Sequence, residues 1–184
     1  MGLENLAEKI RKCQLCPLHK SRKNAVASEG SKNAQFLFVG EAPGYQEDLE
    51  GRPFCGAAGK FLDEMLKSIN LRRKDVFITN IVKCRPPNNR DPLDSEINTC
   101  WPYLLEQIKI IKPKLIVCLG RLSMARFLPS VGTISNVHGR VFKKADQLYM
   151  TLYHPAAALH QNRLKSTIEA DFRKIPQVLK KIKE

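Results

Sequence analysis

The sequence predicts an α/β fold, a single-domain α/β/α sandwich over residues 1–184 with a central, mainly parallel four-stranded sheet. Three observations carry that expectation. Four short apolar runs stand apart in the chain, at 35–40, 76–82, 115–119 and 148–152. Stretches with helical spacing of apolar residues lie between them. Neither an internal repeat nor a linker-like stretch interrupts the alternation. Strands that alternate with helices pair in parallel and are covered on both faces.

Taken in order, residues 3–12 read as a short amphipathic helix that runs into Cys13 and Cys16, followed by a polar, basic loop. Gln35 to Gly40 is apolar and ends in glycine, as a strand buried on both faces does. The next segment, of about sixteen residues from Gly40 to Gly56, is so rich in glycine and proline that it predicts an irregular loop. Long loops inside compact domains are usually functional. Apolar residues at 58, 61, 62, 65, 66 and 69 predict a helix over Ala58–Ile69. Val76 to Val82 is the second strand; a proline-rich loop and a helix starting near Pro92–Asp94 follow it. Leu115 to Leu119 is the third strand, and Gly120 opens another helix. Leu148 to Leu152 is the fourth and ends at Tyr153-His154-Pro155. From Ser166 onward one amphipathic helix is expected, with Ile168, Phe172, Ile175, Val178, Leu179 and Ile182 on one side and a bend at Pro176.

Composition narrows the classes of function. The 31 Lys and Arg residues outnumber 18 Asp and Glu, for a net charge of +13. An excess of that size favours a polyanionic partner, because each bound phosphate releases condensed counterions. The basic residues are dispersed, which suggests a broad basic face. No apolar run approaches a membrane span, and the charged start of the chain lacks the apolar core of a signal peptide. An intracellular, cytoplasmic, nucleoid-associated protein is expected.

Chemistry-bearing residues collect at the strand ends. In parallel sheets ligands bind outside the carboxyl ends of the strands. Glu41 follows the first strand, Asn80 lies in the second and His154 follows the fourth. Phe54, in a loop of small and polar residues, is either a core plug or a stacking platform. Cys13 and Cys16 form a C-x2-C pair, while Cys84 and Cys100 have fifteen residues between them. Four thiolates suit zinc or a [4Fe–4S] cluster, and spacing alone leaves both open. Cys55 and Cys118 read as non-ligands. The string GAAGKF is not a phosphate-binding P-loop: Phe54 stands where its first glycine is needed, and Phe61 follows the lysine.

The strings GEAPG (40–44), GRPFCGAAGK (51–60), TNIVKCRPP (79–87), CWPYL (100–104) and YHPAA (153–157), in that order, resemble the family 4 uracil-DNA glycosylases. These are iron–sulfur enzymes of thermophilic archaea and bacteria within the uracil-glycosylase superfamily. The likeness runs from Cys13 to about Lys165. It implies a [4Fe–4S] cluster on Cys13, Cys16, Cys84 and Cys100, and excision of uracil from single- or double-stranded DNA. It implies that Gly40, Ala42, Glu47, Phe54, Asn80 and His154 hold the base: Phe54 stacks on it, Asn80 bonds its polar edge, Glu47 fills the space a thymine methyl needs, and His154 faces O2.

Catalysis on this reading falls to Glu41 and His154. Better-known relatives carry an Asp just after the first strand to position the water; here Glu41 and Ala42 stand in that region. Arg85 and Arg163 would meet the DNA, as part of a basic face that includes Lys83 and Arg90, and Leu159 would fill the vacated stack. Cys55 and Ala57 replace residues more often seen as Val and a basic or polar type. The chain is expected to be a monomer away from membranes; no residue pattern specifies a replication clamp or polymerase as partner. Thymine or hypoxanthine excision, a zinc-stabilised nucleic-acid-binding module and an electron carrier are the rival readings. The zinc module would leave Asn80 and His154 without a task.

Overall fold

The structure, a computed structural model, describes residues 2–183; the side chains of Leu179 and Ile182 lie outside the described residues. In chain order the elements are α1 (Leu3–Lys12), β1 (Glu29–Gly30), β2 (Phe36–Gly40), α2 (Tyr45–Glu50), α3 (Ala57–Ser68), β3 (Phe77–Asn80), α4 (Asp94–Ile111) and β4 (Leu115–Leu119). They continue with α5 (Arg121–Phe127), α6 (Ile134–Val137), β5 (Val141–Lys144), β6 (Gln147–Leu152), α7 (Ala156–His160), α8 (Leu164–Phe172) and α9 (Ile175–Lys183). Among the described residues no helix is long and apolar enough to cross a membrane.

The sheet has six strands in the order β1-β3-β2-β4-β6-β5. Its centre, β3-β2-β4-β6, is the parallel array that the apolar runs predict. The expected count of four is corrected to six by two antiparallel edges, β1 on β3 and β5 on β6. Neither edge carries an apolar run. β1 is two residues long, and β5 reads VFKK with its lysines exposed. The pleat sends alternate side chains to opposite layers. Leu37, Val39, Ile116 and Cys118 pack with Leu6 and Ile10 of α1 and Ile97 and Leu104 of α4. Phe36, Phe38, Leu115 and Val117 pack with Phe61 and Leu62 of α3 and Ile168 and Phe172 of α8. The sandwich follows from that alternation.

Two local expectations are corrected. The segment between Gly40 and Gly56 is not wholly irregular, because Tyr45–Glu50 is helical. The Glu47 carboxylate accepts the Gly44 N–H at 3.1 Å and closes the first turn. Gly51, at φ 70°, ends the helix in the left-handed conformation that glycine adopts without strain. A helix of six residues is too short to show a period. The single C-terminal helix is in fact two, α8 and α9, parted at Arg173–Lys174. Proline is tolerated in a first helical turn and not in an interior, so Pro176 places the break just before itself.

A buried polar cluster fixes the end of β3. Lys83 is only 1% exposed, which corrects its placement on a DNA-facing loop. Its ammonium donates to Thr79 Oγ1 and to the Asn80 carbonyl, both at 2.6 Å, and to Gln107 Oε1 of α4 at 2.8 Å. Burial pulls its pKa down to about 7, against the thiols of Cys100 and Cys84. Gln107 Nε2 and Thr79 Oγ1 each donate to the Ala27 carbonyl at 2.9 Å. Replacing Gln107 by Leu strips an acceptor from a buried cation, and the expected loss is about 2–4 kcal/mol of stability. Urea unfolding of the variant should show a lower midpoint at an unchanged m-value.

Candidate active site and thiol cavity

The carboxyl ends of β2, β3 and β6 open into a cavity of about 400 Å³ lined in part by Glu41, Ala42, Glu47, Phe54, Asn80 and His154. That volume is in the range of pockets that take a small organic ligand. Gly40 and Asn80 are register partners on β2 and β3. A Cβ on Gly40 would lie 2.3 Å from Asn80 Oδ1 and 2.6 Å from Phe54 Cζ, so only glycine lets the amide and the ring converge. Asn80 is buried, and its Oδ1 has no hydrogen-bond partner among the described residues. A buried, unpaired acceptor costs about 1–3 kcal/mol, which a ligand N–H facing it would recover.

Phe54 is 5% exposed and sits at φ 51°, a conformation that non-glycine residues rarely adopt. Arg73 holds it there. The Arg73 guanidinium donates to the Pro53 carbonyl at 2.9 Å and to the Phe54 carbonyl, while Glu29 at 2.9 Å and Asp63 at 2.6 Å anchor the guanidinium. Gly59 of α3 completes the fit, since a Cβ there would collide with the Phe54 carbonyl oxygen. Strained backbone persists where its surroundings over-determine it, as here.

His154 stacks on Phe54 with ring centroids 5.5 Å apart and 28° between planes. Rings in contact have centroids roughly 4.5–7 Å apart, so no base fits between these two. The Ala156 N–H donates to His154 Nδ1 at 3.2 Å, which leaves the ring proton on Nε2. Burial lowers the His154 pKa to about 4, with Glu47 opposing, and the imidazole is neutral at pH 7. Glu47 accepts from the N–H groups of both Gly44 and Gly56, at 3.1 and 3.0 Å, and ties the two ends of its loop together. Glu41 is pushed up to about 7, first by burial and then by Asp91, with Arg121 opposing.

A second cavity is lined by Cys13, Cys16, Cys84 and Cys100. Cys13 follows the last residue of α1, Cys16 precedes a 3-10 turn, Cys84 leaves β3 and Cys100 lies within α4. Arg22 Nη1 donates to Cys84 Sγ at 2.9 Å and the Lys83 N–H to Cys100 Sγ at 3.3 Å. Burial raises the thiol of Cys84, and that of Cys100 to about 11. Cys118 is remote within β4, its thiol pushed up to about 12 by burial; Cys55 lies in the loop beside Phe54.

Comparison with known proteins decides the lineage. Residues 27–180 match the family model described as Uracil DNA glycosylase superfamily. The chain belongs to the uracil DNA glycosylase superfamily. A Type-4 uracil-DNA glycosylase of Archaeoglobus fulgidus is 47% identical over 188 residues, covering 96% of this chain and 93% of that one. Proteins of the same name from Sulfurisphaera tokodaii and Thermotoga maritima are 49% and 40% identical, over 96% and 97% of this chain and 84% and 95% of theirs.

In this superfamily member the cavity gathers Glu41, Ala42, Glu47, Phe54, Asn80 and His154, and Gly40 touches it from below. Of the residues expected at DNA, Arg85, Leu159 and Arg163 stand apart from it, while Arg90 is part of its lining. Arg85 is held 5.0 Å over the Tyr45 ring and donates to Asn89 Oδ1 at 2.7 Å; Arg90 pairs with Glu96 at 2.7 Å. Leu159, 51% exposed on α7, and Arg163 beyond it face solvent. Sequence reasoning missed Arg73, Asn89, Asp91 and Arg121. Asn89 lines the cavity at φ 54°, and an Asn-Asn pair after two prolines was the one available signal. Gly40→Ala should disarrange Asn80 and Phe54 together and slow turnover by about a hundredfold or more, while the far-ultraviolet dichroism of the sheet is kept.

Proposed function

We propose that this chain is a DNA repair glycosylase that flips uracil out of DNA and hydrolyses its N-glycosidic bond, leaving an abasic site. The observation that carries the reading is the buried, unpaired Asn80 Oδ1 beside the Phe54 ring and the neutral His154 imidazole, in a cavity with room for a base and its sugar. An amide both donates and accepts, which fits the O4 and N3–H of uracil and opposes the reversed edge of cytosine. Stacking on Phe54 is worth roughly 1–3 kcal/mol, and Glu47, fixed from both ends, fills the place of a 5-methyl group.

As the C1′–N1 bond breaks, negative charge collects on the base toward O2. The His154 Nε2–H is a donor for that charge, and its neutrality spares the buried site a cation. A preorganised donor acts mainly in the transition state. Glu41 takes the hydrolytic water, with its carboxyl at the end of β2. Arg85 and Arg163 meet phosphates, and Leu159 enters the stack.

The thiol cavity brings together the four cysteines that would hold the [4Fe–4S] cluster. A single zinc would draw four thiolates to within about 3.8 Å of one another. Among the described residues, however, no three His, Cys, Asp or Glu groups are placed to hold one ion. Four thiols around one cavity, with N–H groups donating to two of the sulfurs, are a donor set of the kind an iron–sulfur cluster takes. Cys13, Cys16, Cys84 and Cys100 would hold it. When bound, it supplies a structural tie between α1, α4 and the loop after β3.

His154→Ala should lower the single-turnover rate of uracil release by about 10²–10³-fold while duplex affinity stays within a few fold. An unchanged rate would remove His154 from catalysis. Purified protein should contain iron and acid-labile sulfide in equal amounts, and Cys100→Ala should lose both; one zinc per chain and no sulfide would overturn the cluster assignment.

A further inference from the structure

Gly44, just before α2, and Pro86, on the loop after β3, both line the base cavity. Their chain neighbours Tyr45 and Arg85 do not line it, but the two side chains meet at its edge. The Arg85 guanidinium lies over the Tyr45 ring, with its carbon 5.0 Å from the ring centroid. Arg85 Nε donates to Asn89 Oδ1 at 2.7 Å, and Asn89 does line the cavity. One run of contacts thus leads from the cavity wall through Asn89 and Arg85 to Tyr45.

Tyr45 is 54% exposed, and among the described residues it is the only exposed aromatic side chain. A guanidinium resting on an exposed ring adds little to stability, so the fold gains little from the pair. What it does is hold the ring in place before anything binds, which lowers the entropy cost of stacking on it. Among the described residues only Nε of Arg85 is engaged, so its two Nη groups are left to donate to a phosphate. An aromatic ring beside such a cation is what a nucleotide of a single strand takes: the base stacks and the phosphate pairs.

We infer that Tyr45, backed by Arg85, is a stacking subsite for the base next to the flipped uracil in single-stranded DNA. The inference rests on the glycosylase reading above. A uracil held in the cavity leaves its phosphodiester at the rim, and the neighbouring nucleotide crosses the edge that Gly44 and Pro86 form. In a duplex that neighbour is already stacked and paired, and a ring at the rim offers it nothing. In a single strand its faces are open. Every base has a π-face, so the subsite adds affinity without choosing a sequence.

Single-turnover release of uracil from short oligonucleotides, read as the half-saturating enzyme concentration, tests this. One single strand keeps both neighbours of the uracil; in two others a tetrahydrofuran abasic residue replaces the 5′ or the 3′ neighbour. With the unmutated chain, loss of the base on one side should raise the half-saturating concentration by about 5- to 100-fold, the worth of one base on an aromatic ring. Tyr45→Ala should cause the same rise on the intact strand and no further rise on that abasic one, whereas Tyr45→Phe should keep the unmutated value. On a duplex, Tyr45→Ala should change it by less than about twofold. The inference is overturned if neither neighbour matters, if the two losses multiply, if Tyr45→Phe behaves as Tyr45→Ala, or if the duplex loses as much. Should Tyr45→Ala fail to fold, photo-cross-linking decides, with the unmutated full chain and 5-iodocytosine on each side of the uracil in turn. An adduct on Tyr45 supports the subsite; adducts elsewhere, or none, refute it. Unmutated protein that releases no uracil from the intact strand would instead refute the glycosylase reading.

Discussion

A buried amine is too expensive to fold around unless acceptors meet it, and Lys83, 1% exposed, is met by three. Its three acceptors come from β3 and α4, and the residues on either side of its position serve both cavities. Asn80, whose carbonyl it grips, faces the base cavity; Cys84, its neighbour in the chain, faces the thiol cavity. Its own N–H points at Cys100 Sγ. Five residues, Asn80 to Cys84, therefore carry both sites, and the need to satisfy one cation holds them in a single arrangement.

The opposite wall depends on strain in place of charge. Phe54 is held in the left-handed region by the guanidinium of Arg73, which draws on Glu29 of β1 and Asp63 of α3. A conformation of this kind costs of order 1–3 kcal/mol. The two-residue edge strand thereby contributes more than an extra ladder: it brings Glu29 to the anchor of the stacking ring.

The parallel centre of the sheet was legible because strands buried on both faces leave continuous apolar runs, as Phe36–Gly40 and Leu115–Leu119 do. The edges were not, since β1 is too short for a pattern and β5 keeps its lysines in water. The α2 helix depends on a carboxylate cap and a left-handed glycine, signals that a Gly- and Pro-rich composition hides. In the site, Glu41, Asn80 and His154 could be grouped because all three stand at strand ends. Arg73, Asp91 and Arg121 act across 19, 50 and 30 positions of chain, on Phe54, Glu41 and Asp91 in turn, and no local spacing encodes such contacts. Lys83 was misplaced because a basic residue beside Arg85 looks like surface until its acceptors are known.

The ring-on-ring contact of His154 with Phe54 has one more implication. One face of the Phe54 ring is already covered by the imidazole, so a planar ligand that stacks on that face has to displace it.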